Sequence, residues 1–374
     1  MNGWRYHSPV EIRFGDGCRE ELKEAGLACG ARMVWAVDPF VAGTQLLKDL
    51  AAGTSPASIW TGVRPNPTLA SVRDLAETAR HDRADGLVAI GGGSTIDTAK
   101  AAACVIAMDV SVEELHAGSR APERSLPLVA MPTTAGTGSE VTPVAVLTDP
   151  ERGVKAPIGG PCLYPRLALV DPEWTHTAPP QVTASTGIDA LSHALEAYWG
   201  LHSQPICDAL SAEATERILR ALPVACERGG DADARRQVAL GSLLAGMAFA
   251  QTKTAAVHAC SYPLTQRFGL SHGAACGLTL DAFLRFNALA VPEKLNRLAV
   301  RVGYEDAQAL ASAILALKGR IGLPRTLEEA GIAEEDLDVL VAESFHANMQ
   351  NNPREVTEKH LVHIYTHLGE DPNV

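Results

Sequence analysis

Asp189 and His193 stand four apart in STGIDALSHALEAY, a spacing that puts both on one face of a helix. Two further histidines, His258 and His272, lie fourteen residues apart at the two ends of HACSYPLTQRFGLSH. Three imidazoles and one carboxylate form a donor set that Fe2+ or Zn2+ accepts, with a substrate oxygen or water as a further ligand. Pro263 and Gly269 argue against one continuous helix through the pair. The expectation is that His258 lies near the end of one helix and His272 at the start of the next. Both would point inward beside the Asp189 helix, which Ser185 or Thr186 would cap. His360, His363 and His367 also have helical spacing, but near the tail they read as a solvated face.

A second kind of chemistry is written into GLVAIGGGSTIDTAKAAA, which reads as a strand, a glycine loop and a helix. Gly91, Gly92 and Gly93 allow a ligand close to the backbone, and Ser94 and Thr95 can cap the helix. Free N–H groups at that terminus favour a phosphate. The spacing is neither GxGxxG nor GxxxxGK[ST]. MPTTAGTGSEVT also follows a strand-like run, and Thr133, Thr134, Thr137 and Ser139 supply hydroxyls for a phosphate or ribose. Asp38 follows MVWAV, where a carboxylate accepts from ribose hydroxyls and repels a 2′-phosphate, unless it serves only the Asp38-Pro39 turn.

The elements that must position these residues fall into two halves. Residues 1–180 carry 16 prolines and 181–374 carry 7. The first half alternates apolar runs (MVWAVD, GLVAIGGGS, LPLVAMPTT, RLALVDP) with helical segments such as LASVRDLAETARHD. Runs of that kind predict strands buried on both faces of a parallel sheet, with ligand loops at the carboxyl ends. From Thr183 the pattern is long, Ala- and Leu-rich and helical. The fold class is therefore α/β plus all-α: a Rossmann-like parallel-sheet domain over 1–180 and an all-helical domain over 181–374, divided in the proline-rich DPEWTHTAPPQV.

The bulk numbers narrow the partners. The chain has 374 residues and a formal net charge of −12, which argues against nucleic acid or an anionic membrane as the main partner. No basic start with an apolar run and no spanning stretch is present, and eight cysteines without a CxxC pair read as reduced thiols. A cytoplasmic enzyme is the expectation.

These motifs, with SPVEIRFGDG, GVRPNPT, PTTAGTGSE, the VDP turn at Val170 and NNPR, resemble the iron-containing (group III) alcohol dehydrogenases over nearly the whole chain. The resemblance implies the dehydroquinate synthase-like fold, with NAD(P) on the first domain, a divalent metal in the cleft between the two, and a homodimer. By it the metal ligands fall on Asp189, His193, His258 and His272. The cofactor set, NADH or NADPH, falls on Gly92, Gly93 and Ser94 with Asp97 of the same motif, on Thr133, Thr134 and Thr137, on Lys155, and on Asp38, which favours NADH.

One position departs from the family. Many of its alcohol dehydrogenases carry a histidine four residues after the third ligand; here it is Tyr262. Upstream, AFAQTKTAAVH places Lys253 close to the metal segment. Helical phase would set Lys253 about 140° from His258 and Thr254 on its face. A lysine there points to a small anionic aldehyde, with Lys253, Thr254 and Arg267 on its headgroup. TKTAAVHACSYPLTQRFGLSHG looks like the phosphonoacetaldehyde reductases of the family. The expected reaction is reduction of an aldehyde to a primary alcohol. The proton comes from Tyr262, its pKa lowered by a nearby cation, or from a water relay through the cofactor ribose; otherwise Tyr262 shapes the pocket or hydrogen-bonds an anionic headgroup. The alternatives are a general short-chain alcohol dehydrogenase, a dehydroquinate-synthase-like lyase with no net NADH turnover, a maleylacetate reductase, and a metal- and nucleotide-binding sensor.

Overall fold

Strand and helix alternate along the first half because apolar runs of a few residues are cut by glycine, proline and aspartate. The order is β1 (Glu11–Phe14), α1 (Leu22–Leu27), β2 (Met33–Val37), α2 (Pro39–Ala42), α3 (Gln45–Thr54), β3 (Ser58–Trp60), α4 (Leu69–His81), β4 (Gly86–Gly91), α5 (Gly93–Met108), α6 (Val112–His116), β5 (Leu128–Pro132), β6 (Val144–Asp149), β7 (Val154–Gly159) and β8 (Leu167–Val170). The structure is a computed structural model that describes residues 3–27 and 29–370.

Six of these strands form one sheet in the order β1-β8-β5-β4-β2-β3, and every described pairing in it is parallel. The period-2 geometry of a strand divides its residues between two cores. Val34, Ala36, Leu87, Ala89, Leu128 and Ala130 face one side, packed with α4 and α5 residues such as Leu75 and Ile96. Trp35, Val37, Val88, Ile90, Val129 and Met131 face the other, packed with Leu47 and Leu50 of α3. Each fully buried Leu, Ile or Val contributes about 1.5–3 kcal/mol, so the central strands are held from both faces. An antiparallel pair, β6 with β7, lies outside this sheet, and the apolar runs gave no sign of it.

The second half is helical: α7 (Pro180–Trp199), α8 (Pro205–Glu227), α9 (Ala232–Thr252), α10 (Ala256–Gln266), α11 (His272–Ala288), α12 (Pro292–Arg301), α13 (Ala307–Arg320), α14 (Leu337–Glu343) and α15 (Glu358–Thr366). Helix α7 packs against α8, α9 and α11. Its residues from Gly187 to Trp199 are all buried. A helix buried nearly all round belongs at the centre of a helical core.

The chain does not divide at a single point. One unit holds Ser8–Thr134 and Gly138–Thr175; the other takes the first residues to His7, the short piece Ala135–Thr137 and the chain from His176. The main switch, at His176, lies within the proline-rich stretch 171–182. The excursion at Ala135–Thr137 carries no compositional signal. Among the described residues no helix is long and apolar enough to cross a membrane.

Candidate metal centre and cofactor loops

Helix α7 carries Asp189 and His193 on one face, one turn apart. It begins at Pro180, so Ser185 and Thr186 do not cap it: the Ser185 hydroxyl pairs with that of Ser271 at 2.8 Å, and the Thr186 hydroxyl donates to Val182 O at 2.9 Å. His272 opens α11, as the sequence predicts. His258 is the third residue of α10, near its beginning rather than its end, and Pro263 sits inside that helix. A proline in a helix forfeits the bond from its own nitrogen, here the one to Ala259 O, but the buried neighbours Ala259, Cys260 and Leu264 keep α10 running to Gln266.

The donor atoms converge on Asp189 Oδ1. His258 Nε2 lies 3.6 Å from it, His272 Nε2 3.8 Å and His193 Nδ1 4.0 Å. His193 stacks on Phe249 with ring centroids 4.1 Å apart and on His258 at 4.4 Å, which fixes its plane. Asp189 Oδ1, His193 Nδ1 and His258 Nε2 are buried and have no hydrogen bond of ordinary length. Unmade hydrogen bonds at buried polar atoms cost about 1–3 kcal/mol each, so three around one point demand an explanation. A divalent cation held there would supply it. Bonds of about 2.0–2.2 Å at tetrahedral angles hold ligand atoms roughly 3.3–3.6 Å apart, close to the spacing here.

The electrostatics of Asp189 and His193 fit such a site, whereas at His258, against burial, Cys276, Glu196 and Asp189 raise the imidazole well above its usual value, a proton that a bound cation would displace. Burial alone would push the Asp189 carboxyl up, but His193, His272 and His258 outweigh it and hold it well below the usual carboxylate range. Burial pushes His193 down to about 4, keeping it neutral as a ligand must be.

Two groups near this centre escaped sequence reasoning. Cys276 is one turn after His272, and the set whose donor atoms all lie within 4.8 Å of one another is Asp189, His258, His272 and Cys276, with Cys276 in the place expected for His193. The i, i+4 spacing in HGAAC was the available signal. Glu196 lies seven residues after Asp189 on the same face of α7, and its side chain reaches His258.

Close approach of α7 and α11 depends on Gly273. A Cβ there would stand 1.8 Å from Ser185 O and 3.0 Å from Asp189 Cβ. The clashing atom is backbone, so no rotamer relieves it. Gly273→Ala is expected to cost at least about 3 kcal/mol, the upper end for overpacking, read as a fall in the urea midpoint. An unchanged midpoint would show that the helices separate freely.

Lys253 does not share a helix with His258. Helix α9 ends at Thr252, so the predicted phase relation fails. Lys253 adopts φ 63° and ψ 176°, a region nearly reserved for glycine. The strain is held from both sides: the Asn351 side-chain amide donates to Thr252 O at 2.9 Å and to Thr254 O at 3.1 Å. The Asn348 amide donates to the Thr254 hydroxyl at 2.8 Å. Lys253 is exposed, and its ammonium has no ion pair among the described residues. Arg267, by contrast, is committed to an exposed ion pair with Glu343. Tyr262 packs on His346 with centroids 4.6 Å apart, and burial pushes its phenol up rather than down, against the sequence expectation.

In the sheet unit, Gly92 rather than Ser94 or Thr95 occupies the N-cap of α5, and no side chain caps it. Thr95 N–H donates to Gly92 O at 3.0 Å, which leaves the N–H groups of Gly93 and Ser94 open to a ligand. Gly93 and Ser94 are the first two helical residues. A Cβ on Gly92 would meet the Thr134 hydroxyl at 3.1 Å, so the two loops abut. Thr133 follows β5 directly, its N–H donating to Gly91 O at 3.1 Å; Thr137 falls in the piece grouped with the helical unit. Asp38 caps α2 through Phe40 N at 2.9 Å with one oxygen, and its own N–H donates to Ile90 O, at the end of β4 beside the glycine loop. Lys155 donates to Asn66 at 3.1 Å.

Asp97 turns inward instead of toward a cofactor. Its oxygens accept from the Ser139 hydroxyl at 2.5 Å and from Val146 N at 2.9 Å. With Lys100, which donates to Thr142 O at 2.7 Å and Val144 O at 2.8 Å, it braces the second loop against α5.

The comparisons with known proteins follow the same division. The model described as iron-containing alcohol dehydrogenase matches residues 9–172. That of the Fe-containing alcohol dehydrogenase family, C-terminal, matches 183–369. The chain belongs to the iron-containing alcohol dehydrogenase family. It is 33% identical over 370 residues to the NAD-dependent methanol dehydrogenase of Bacillus methanolicus, covering 95% of this chain and 97% of that one. The sulfoacetaldehyde reductase of Bilophila wadsworthia is 30% identical, with 96% and 97% covered. The crystal structure of sulfoacetaldehyde reductase from Bifidobacterium kashiwanohense in complex with NAD+ superposes with a TM-score of 0.95 at 40% identity, covering 99% of this chain and 100% of that one. Alcohol dehydrogenase or aldehyde reductase activity is the family's chemistry, and two of these relatives are sulfoacetaldehyde reductases by name.

Proposed function

We propose that this protein reduces a two-carbon aldehyde bearing an anionic headgroup to its primary alcohol, with phosphonoacetaldehyde giving 2-hydroxyethylphosphonate as the leading substrate. The observation that carries the reading is Lys253: a strained, exposed, uncommitted cation in the turn that leads into the His258 helix. A divalent cation held by Asp189, His193, His258 and His272 would supply Lewis-acid polarisation of the carbonyl, and a nicotinamide cofactor at the glycine loop the hydride.

The chain's own residues do the rest. Lys253 sets its charge against the headgroup, and Thr254, placed by Asn348, offers a hydroxyl beside it. The neutral Tyr262 phenol retains its proton at neutral pH and can donate it in a hydrogen bond toward substrate oxygen. Asp38, at the end of β2, favours NADH over NADPH by accepting from ribose hydroxyls. A second reading takes sulfoacetaldehyde as substrate, favoured by the 40% identity to a reductase of that aldehyde.

The test is NADH oxidation by metal-loaded enzyme on phosphonoacetaldehyde, sulfoacetaldehyde and propanal. Phosphonoacetaldehyde is expected to exceed propanal at least about a hundredfold in kcat/KM, about 2.7 kcal/mol of discrimination. Preference for sulfoacetaldehyde selects the second reading. Equal use of propanal removes the anionic headgroup, and no stoichiometric NADH oxidation removes the reductase.

A further inference from the structure

Glu196 is wholly buried on α7, yet its carboxylate is the most heavily used acceptor near the metal centre. Oε2 accepts from Ala255 N at 2.9 Å and from the His258 ring Nδ1 at 2.6 Å. Oε1 accepts from Val257 N at 2.6 Å and His258 N at 3.4 Å. Helix α10 has no side-chain cap of its own, since its N-cap is Ala255. A carboxylate from another helix therefore satisfies its orphan N–H groups and complements its dipole.

The same side chain fixes the imidazole. With three backbone N–H groups aimed at it, Glu196 acts as an acceptor, so His258 Nδ1 must donate. One ring proton is then on Nδ1, and with a metal bound Nε2 would be left to present its lone pair to the gap beside Asp189 Oδ1, which lies 3.6 Å away. A histidine that donates its second nitrogen to a carboxylate is held in one tautomer and orientation and becomes a stronger ligand.

We infer that Glu196 is a positioning residue that joins the start of α10 to the metal centre: one carboxylate seats the helix and sets the tautomer and plane of His258. This rests on the metal reading of Asp189, His193, His258 and His272. Glu196→Gln nearly keeps the shape and still accepts from Val257 N, but its NH2 group opposes the Nδ1 proton and favours the wrong tautomer.

The test compares wild type and Glu196→Gln for affinity toward Zn2+ alone, by competition with a chromophoric chelator, and for the melting temperature of the metal-free proteins. Binding about 10- to 100-fold weaker in the variant is expected, with metal-free melting lowered by only a few degrees. Equal affinity with lower melting overturns the inference and leaves Glu196 a helix cap. Failure of the wild type to bind Zn2+ or Fe2+ overturns the metal reading itself, before any variant is compared. Should the variant not fold, nitrogen-15 spectra of zinc-loaded wild type decide: a proton on His258 Nδ1 is required, and one on Nε2 overturns the assignment.

Discussion

Asp189→Asn is expected to lower kcat/KM for aldehyde reduction by about a thousandfold and to abolish the rise in melting temperature that Fe2+ or Zn2+ gives the wild type. Asparagine preserves the volume and the Oδ1 atom, so α7 should keep its place. What it removes is the only formal negative charge among the four expected ligands. That oxygen lies within 4.0 Å of three imidazole nitrogens. Loss of Lewis-acid stabilisation is worth several kcal/mol, and about 4 kcal/mol is a thousandfold. A metal at a hundred times its dissociation constant stabilises the folded state by about 2.7 kcal/mol, which the variant should forgo. Turnover within threefold of wild type, or an undiminished thermal shift, would remove the metal from the mechanism.

The centre around Asp189 was legible because a helix repeats every 3.6 residues and α7 is long enough for that periodicity to hold. Periodicity gives a face, not a boundary. Hence Ser185 and Thr186 looked like caps although α7 starts at Pro180, and Lys253 was given a phase on a helix that stops at Thr252. Proline marks breaks only on average; Pro263 lies inside α10 because packing outweighs one lost hydrogen bond. The sheet strands were visible as apolar runs, whereas the β6–β7 pair, in which β6 alternates half-buried with buried residues and β7 is mostly exposed or half-buried, was not. Glu196 and Cys276 needed the third dimension. A glutamate in a helix usually faces water, and no spacing rule says that this one meets the start of a helix some 60 residues later. Asp97 erred the other way: a motif residue in a ligand loop that bonds inward to Ser139 and Val146.

Lys253→Met tests the substrate class most directly. Methionine keeps the aliphatic stem and the Cβ, so the left-handed backbone at residue 253 is no more strained than before, and only the charge is lost. The size of the effect depends on solvation. An ion pair left in water is worth about 0.2–1 kcal/mol, at most a fivefold change. A charge pair that sheds water on binding costs about 2–5 kcal/mol when one partner is removed. Asn351 pins the Lys253 backbone on both flanks against about 1–3 kcal/mol of strain, and a headgroup that sheds water against the Lys253 ammonium belongs to the second case. The expected result is a fall of about 30-fold or more in kcat/KM for the anionic aldehyde, about 2 kcal/mol, mainly through KM, with propanal changed less than threefold. Lys253→Gly should lose the same discrimination while melting higher than wild type, because glycine relaxes at φ 63°. Equal losses on both aldehydes would assign Lys253 to the architecture of the turn and take the anionic headgroup away from it.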